Sequence, residues 1–133
     1  MSARVPDADD APGGRHALLA VLLGGMAGSA LRLGVAETVP LLWATLAVNV
    51  AGALLLGVLY ERLREHRLGR SGTWSALGPG LCGALTTFSA LQFEAVELMR
   101  DGAWEGALLY LAASICLGLP AAALGRRLGR GGR

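Results

Sequence analysis

The chain has 133 residues, 53% of them hydrophobic and 17% charged, with a mean hydropathy of +0.50. A soluble domain of this size needs a polar surface that such a composition does not supply, so the chain reads as an all-α membrane protein. Its net charge of +2 is too small for a nucleic-acid binder, and its twelve basic residues, all arginine, flank apolar runs instead of forming a stripe with aromatics.

Residues 1–15 contain "VPDADDAPGGR", the composition of a disordered tail. Uncharged windows follow: sixteen residues between Arg15 and Arg32, twenty-three between Glu37 and Glu61, twenty-three between Arg70 and Glu94, and twenty between Glu105 and Arg126. A helix needs about 20 apolar residues to cross ~30 Å of hydrocarbon. The last three windows qualify outright. The first qualifies if Arg32 snorkels or sits in a polar niche, which extends the span to about Val35. A signal peptide accounts for it less well, because the preceding tail is acidic and no clear small-residue cleavage site follows. The expected architecture is four transmembrane helices near residues 16–35, 40–60, 75–98 and 105–125, making one membrane domain over 16–125. Residues 126–133, "RRLGRGGR", form a basic tail suited to the lipid surface.

Four spans place both termini and the middle loop on one side. That side carries Arg4, Arg15, Arg62, Arg64, Arg67, Arg70, Arg126, Arg127, Arg130 and Arg133, ten in all, against Arg32 and Arg100 on the other. The positive-inside rule puts the ten, and both termini, in the cytoplasm of a multi-pass cell-membrane protein.

Within the spans, "GGMAGSA" sets Gly24 and Gly28 at the small-xxx-small spacing that lets helix backbones approach. Polar residues in lipid are costly, so each is a candidate for function or for interhelical hydrogen bonding. Thr45 and Asn49 fall four apart on one face of the second span, as do Tyr110, Ser114 and Gly118 on the fourth. Ser114 taken alone is accounted for equally by a bond to its own helix backbone.

The third span, "GPGLCGALTTFSALQFE", is expected to break. Pro79 can start or kink a helix, and Gly83 is placed to interrupt it near mid-depth. Carbonyls released in a bilayer must find partners in protein, water or an ion. One chain offers too few to cage a cation, and four helices do not readily enclose a pore, so an oligomer is expected. No nucleophile with an adjacent base and no metal-ligand spacing of His or Cys appears, so no enzyme is read. Cys82 and Cys116 lie in apolar runs as small fillers, and His16 and His66 lie near membrane edges.

"GGMAGSALRLGV", "TLAVNVAGALLLG" and "GLCGALTTFSALQFE", in that order, resemble the CrcB/Fluc family of fluoride channels over roughly residues 20–118. The resemblance implies an antiparallel, dual-topology dimer with paired fluoride pores along its interface, exporting fluoride passively and so lowering its toxicity. It also implies a structural, untransported sodium ion held by the backbone carbonyls of Gly83 and Thr86. By position, the pore residues are Asn49, Phe88, Tyr110, Ser114, Thr45 and Thr87, with Arg32 and Glu94 in supporting positions. The chain departs from the family pattern twice. Leu91 stands where a second pore phenylalanine is usual, and Gly118 stands where a second serine is usual. Together with the arginine bias, these departures raise a heterodimer with an oppositely inserted homologue beside the homodimer. The rival reading is a small four-helix multidrug or cation antiporter, which needs a carboxylate at mid-membrane, whereas Glu94 lies towards the end of its predicted helix.

Overall fold

The computed structural model describes residues 14–63 and 72–131, and within them every regular element is helical. Residues 1–13 of the expected tail, and Arg64, His66, Arg67, Arg70 and Arg133, lie outside the described residues, while Gly14 and Arg15 of that tail belong to the first helix.

The first helix, α1, runs Gly14–Thr38 and the second, α2, Leu41–Leu63. Pro40 separates them: it has no N–H to extend α1, and its carbonyl accepts the first bond of α2 from the Ala44 N–H at 3.0 Å. The third span is built in pieces. A short α3 (Gly72–Ser75) passes into a π-helical stretch over Ala76–Cys82 and then into α4 (Gly83–Leu85). Pro79 sits inside the π-helical stretch, where the missing donor and the ring are accommodated by a widened turn. Thr86 and Thr87 are extended, at φ −80°, ψ 150° and φ −146°, ψ 123°. Helix then resumes as α5 (Phe88–Arg100). A turn through Gly102, whose φ of +79° favours glycine, leads into α6 (Trp104–Arg130).

α1, α2 and α6 have 25, 23 and 27 residues and are each long and apolar enough to cross a membrane. At 1.5 Å per residue they reach about 35–40 Å, against ~30 Å of hydrocarbon. The remaining helical run is the interrupted one. The interruption differs from the sequence expectation: Gly83 keeps helical dihedrals, φ −66° and ψ −33°, and the chain parts at Thr86–Thr87 instead. α6 also continues through Arg130, so the expected basic tail is helical in its first five residues.

Two close crossings hold the subunit together. α2 and α6 run side by side, and Gly57 and Gly125 lie so near the opposing backbone that a Cβ at either would collide with it. α1 lies against the π-helical stretch in the same manner through Gly24 and Gly28, which face the backbone of Ala76 and Leu81. In lipid such contacts replace the hydrophobic effect as the source of cohesion. The core proper is Leu46, Leu91, Ala95 and Tyr110, flanked by Leu42, Val50, Leu98 and Leu111. Leu18, Leu22, Leu109 and Leu119 are among many large apolar side chains left on the outer surface, as lipid contact requires.

Candidate functional site

The first half of the site is the join between α4 and α5. Asn49 on α2 donates from Nδ2 to the Thr87 carbonyl at 3.0 Å, while the Thr87 N–H donates to Asn49 Oδ1 at 2.7 Å. One carboxamide thus pairs with both backbone groups of an extended residue, which is what lets the chain leave the helix there without orphaned polar groups. The Thr87 hydroxyl then caps α5, accepting from the Ala90 N–H at 3.2 Å and lying 3.3 Å from the Ser89 hydroxyl. The Thr86 hydroxyl turns back to the Cys82 carbonyl at 2.8 Å.

The carbonyls at the end of α4 lose the donors a continuous helix would give them, those of Gly83 and Thr86 among them. Gly83 would receive from the Thr87 N–H, which instead goes to Asn49. Thr86 would receive from the Ala90 N–H, which instead goes to the Thr87 side chain. Ala84 and Leu85, between them, lose theirs in the same way, as Phe88 and Ser89 begin the new helix. Beside them a groove of about 630 Å³ opens at the surface, lined among others by Asn49, Gly52, Gly83, Thr86, Thr87 and Phe88. Phe88, the first residue of α5, is 70% exposed. Among the described residues no group of three or more His, Cys, Asp or Glu side chains is placed to bind a metal.

The second half is buried. Glu94, expected near a helix end, falls in the middle of α5 because the helix restarts at Phe88, and it is 5% exposed. Its two oxygens accept from the Thr45 hydroxyl at 2.6 Å and the Tyr110 hydroxyl at 2.5 Å. Thr45 lies one turn from Asn49 on α2, so that helix joins the two halves. Ser114 donates to the Tyr110 carbonyl of its own helix at 2.9 Å, and Gly118 is half-buried with open space where a side chain would stand.

Leu91 is buried against Leu46, Ala95 and Tyr110, whereas Phe88 faces outward three residues earlier. Arg32 is half-buried on α1. The sequence reading did not single out a third cluster, at the ends of α2 and α6. Glu61, 2% exposed, accepts from Arg130 Nε at 3.0 Å and Arg126 Nε at 3.5 Å, and the Arg126 guanidinium lies 5.6 Å over the Tyr60 ring. The available signal was that the charges closing the second and fourth windows fall at matching depths.

The profile of the family described as "CrcB-like protein, Camphor Resistance (CrcB)" matches residues 19–126, which include both halves of the site. The chain belongs to this family. Similar CrcB relatives include the fluoride-specific ion channel FluC 1 of Mycobacterium bovis, 40% identical over 107 residues covering 77% of this chain and 81% of the relative. The fluoride-specific ion channel FluC of Ruegeria pomeroyi is 40% identical over 119 residues, 85% of this chain and 90% of the relative. That of Thermus thermophilus is 40% identical over 118 residues, 84% and 93%. The antiporter alternative finds no support among these relatives.

Proposed function

We propose that this chain is a subunit of a fluoride-specific ion channel, not an enzyme, and that it lets fluoride leave the cytoplasm passively and so lowers fluoride toxicity. The observation that carries this reading is the Asn49–Thr87 join beside the exposed Phe88, in an open groove of a CrcB-family chain. Fluoride is compact and strongly hydrated, and moving such an ion from water into low dielectric costs on the order of tens of kcal/mol. Neutral donors must stand in for the lost water. Asn49 Nδ2 carries a second N–H beyond the one given to Thr87, the hydroxyls of Thr87 and Ser89 are at hand, and a phenyl ring such as Phe88 offers its electropositive edge. Donors without net charge bind an anion weakly enough to release it, as conduction requires.

The groove lies open along one face of the subunit, which favours closure by a second, oppositely inserted subunit. The carbonyls of Gly83 and Thr86, deprived of helical donors, suit a hard cation, and two subunits would present four such oxygens to a structural sodium ion. Sodium bound there would supply fixed positive charge at the interface. The ten-to-two arginine bias favours cytoplasmic termini and one insertion direction, hence pairing with a homologue of opposite bias.

Fluoride-loaded liposomes test this. Efflux that spares chloride and falls on Asn49→Ala is expected, and equal passage of chloride would overturn the channel reading. Efflux is also expected to need sodium and a co-reconstituted homologue. Full activity of this chain alone would overturn the heterodimer and leave the channel standing.

A further inference from the structure

We infer that Arg126 forms an anion-collecting mouth for the conduction path, at the end of a furrow that continues from the Asn49–Thr87 join. This rests on the fluoride-channel reading above. Ala53 and Leu56 of α2 line both the groove beside Asn49 and a second hollow of about 360 Å³, whose other walls are Gly57, Tyr60, Ala122 and Arg126. The two hollows therefore form one furrow. From Asn49 to Tyr60 it follows α2 for eleven residues, about 16 Å at 1.5 Å per residue. On α6, Ala122 and Arg126 stand one turn apart and form the wall of the second hollow opposite Gly57 and Tyr60 of α2.

The arginine is held in place yet only partly used. Its Nε meets Glu61 at 3.5 Å, its guanidinium stacks 5.6 Å over Tyr60, and the side chain remains 48% exposed. Arg130 contacts the other Glu61 oxygen at 3.0 Å. The one carboxylate thus orients two guanidinium groups and leaves the trio net positive, with Arg62 and Arg127 exposed in the same turns. A positive charge at the mouth of an apolar furrow raises the local anion concentration and the entry rate. Because it stands outside the neutral donor track, it attracts the ion without holding it in the pore.

The test is the initial rate of fluoride efflux for the conducting complex in zwitterionic liposomes at low and high ionic strength. Arg126→Gln is expected to lower the rate about tenfold at low salt. The difference should largely vanish at about 1 M salt, where the screening length is near 3 Å. Arg126→Lys, which restores the charge, should recover most of the rate, and Arg127→Gln serves as a control for exposed charge. A rate for Arg126→Gln that matches the parent at both salt levels would overturn the inference. So would a loss that is the same at both and is not recovered by lysine, since that marks a packing role. Absence of fluoride efflux from the unmutated complex would defeat the channel reading itself, whereas normal efflux with an indifferent Arg126 defeats only this inference.

Discussion

Glu94 and Glu61 are both buried, 5% and 2% exposed, yet they keep opposite company. Glu94 lies mid-helix in the core and accepts from two hydroxyls, those of Thr45 and Tyr110. Glu61 lies at the ends of α2 and α6 and is met by two arginines that remain 48% and 56% exposed. The difference follows from depth. A guanidinium enclosed among packed helices is costly, whereas at the rim it can contact a buried carboxylate while its head stays in water. A positive charge beside the proposed track would also trap the anion that the channel has to release. Neutral hydroxyls inside and cations at the rim are therefore the arrangement that both the bilayer and the transport task favour.

The comparison breaks most readily at Tyr110. Tyr110→Phe keeps the ring but withdraws one donor from a buried carboxylate, and the expected loss is about 1.5–3 kcal/mol of stability, read from thermal unfolding in detergent. A loss below about 0.5 kcal/mol, within the range of ordinary surface changes, would mean that the hydroxyl does not hold Glu94. Thr45→Val should follow with about 1–2 kcal/mol, and Thr45→Ser, which keeps the hydroxyl, should stay near the parent. Both effects should be indifferent to salt, because neither donor carries a charge.

Much of this arrangement is legible in the sequence, and what is not has a common cause. The charge-free windows give α1, α2 and α6 because span length is a local property. Proline and glycine likewise mark the third span as weakened. The place where it parts is set by Asn49, 38 residues before Thr87, and no local pattern contains that pairing. Glu94 is similar: its donors come from 49 residues before and 16 after, so its setting emerges only when three helices pack. Ser114 is the converse case, since the bond to its own helix that the sequence allowed is the one that forms.

The rim cluster should yield the smallest effect and the clearest contrast. Glu61→Gln keeps the shape of the side chain and one acceptor oxygen, but its NH₂ group now opposes a guanidinium instead of accepting from it. Arg126 and Arg130 are half-exposed, so water can take over their unmet N–H groups, and the cost should stay within about 1 kcal/mol. What remains of the original pairing is an attraction between charges near solvent, so the parent's advantage should shrink as salt is raised. Unfolding midpoints of parent and variant at low and high salt measure this directly. A salt-independent loss as large as that of Tyr110→Phe would show that the rim carboxylate depends on its partners as the core one does, and depth would no longer explain why the two differ.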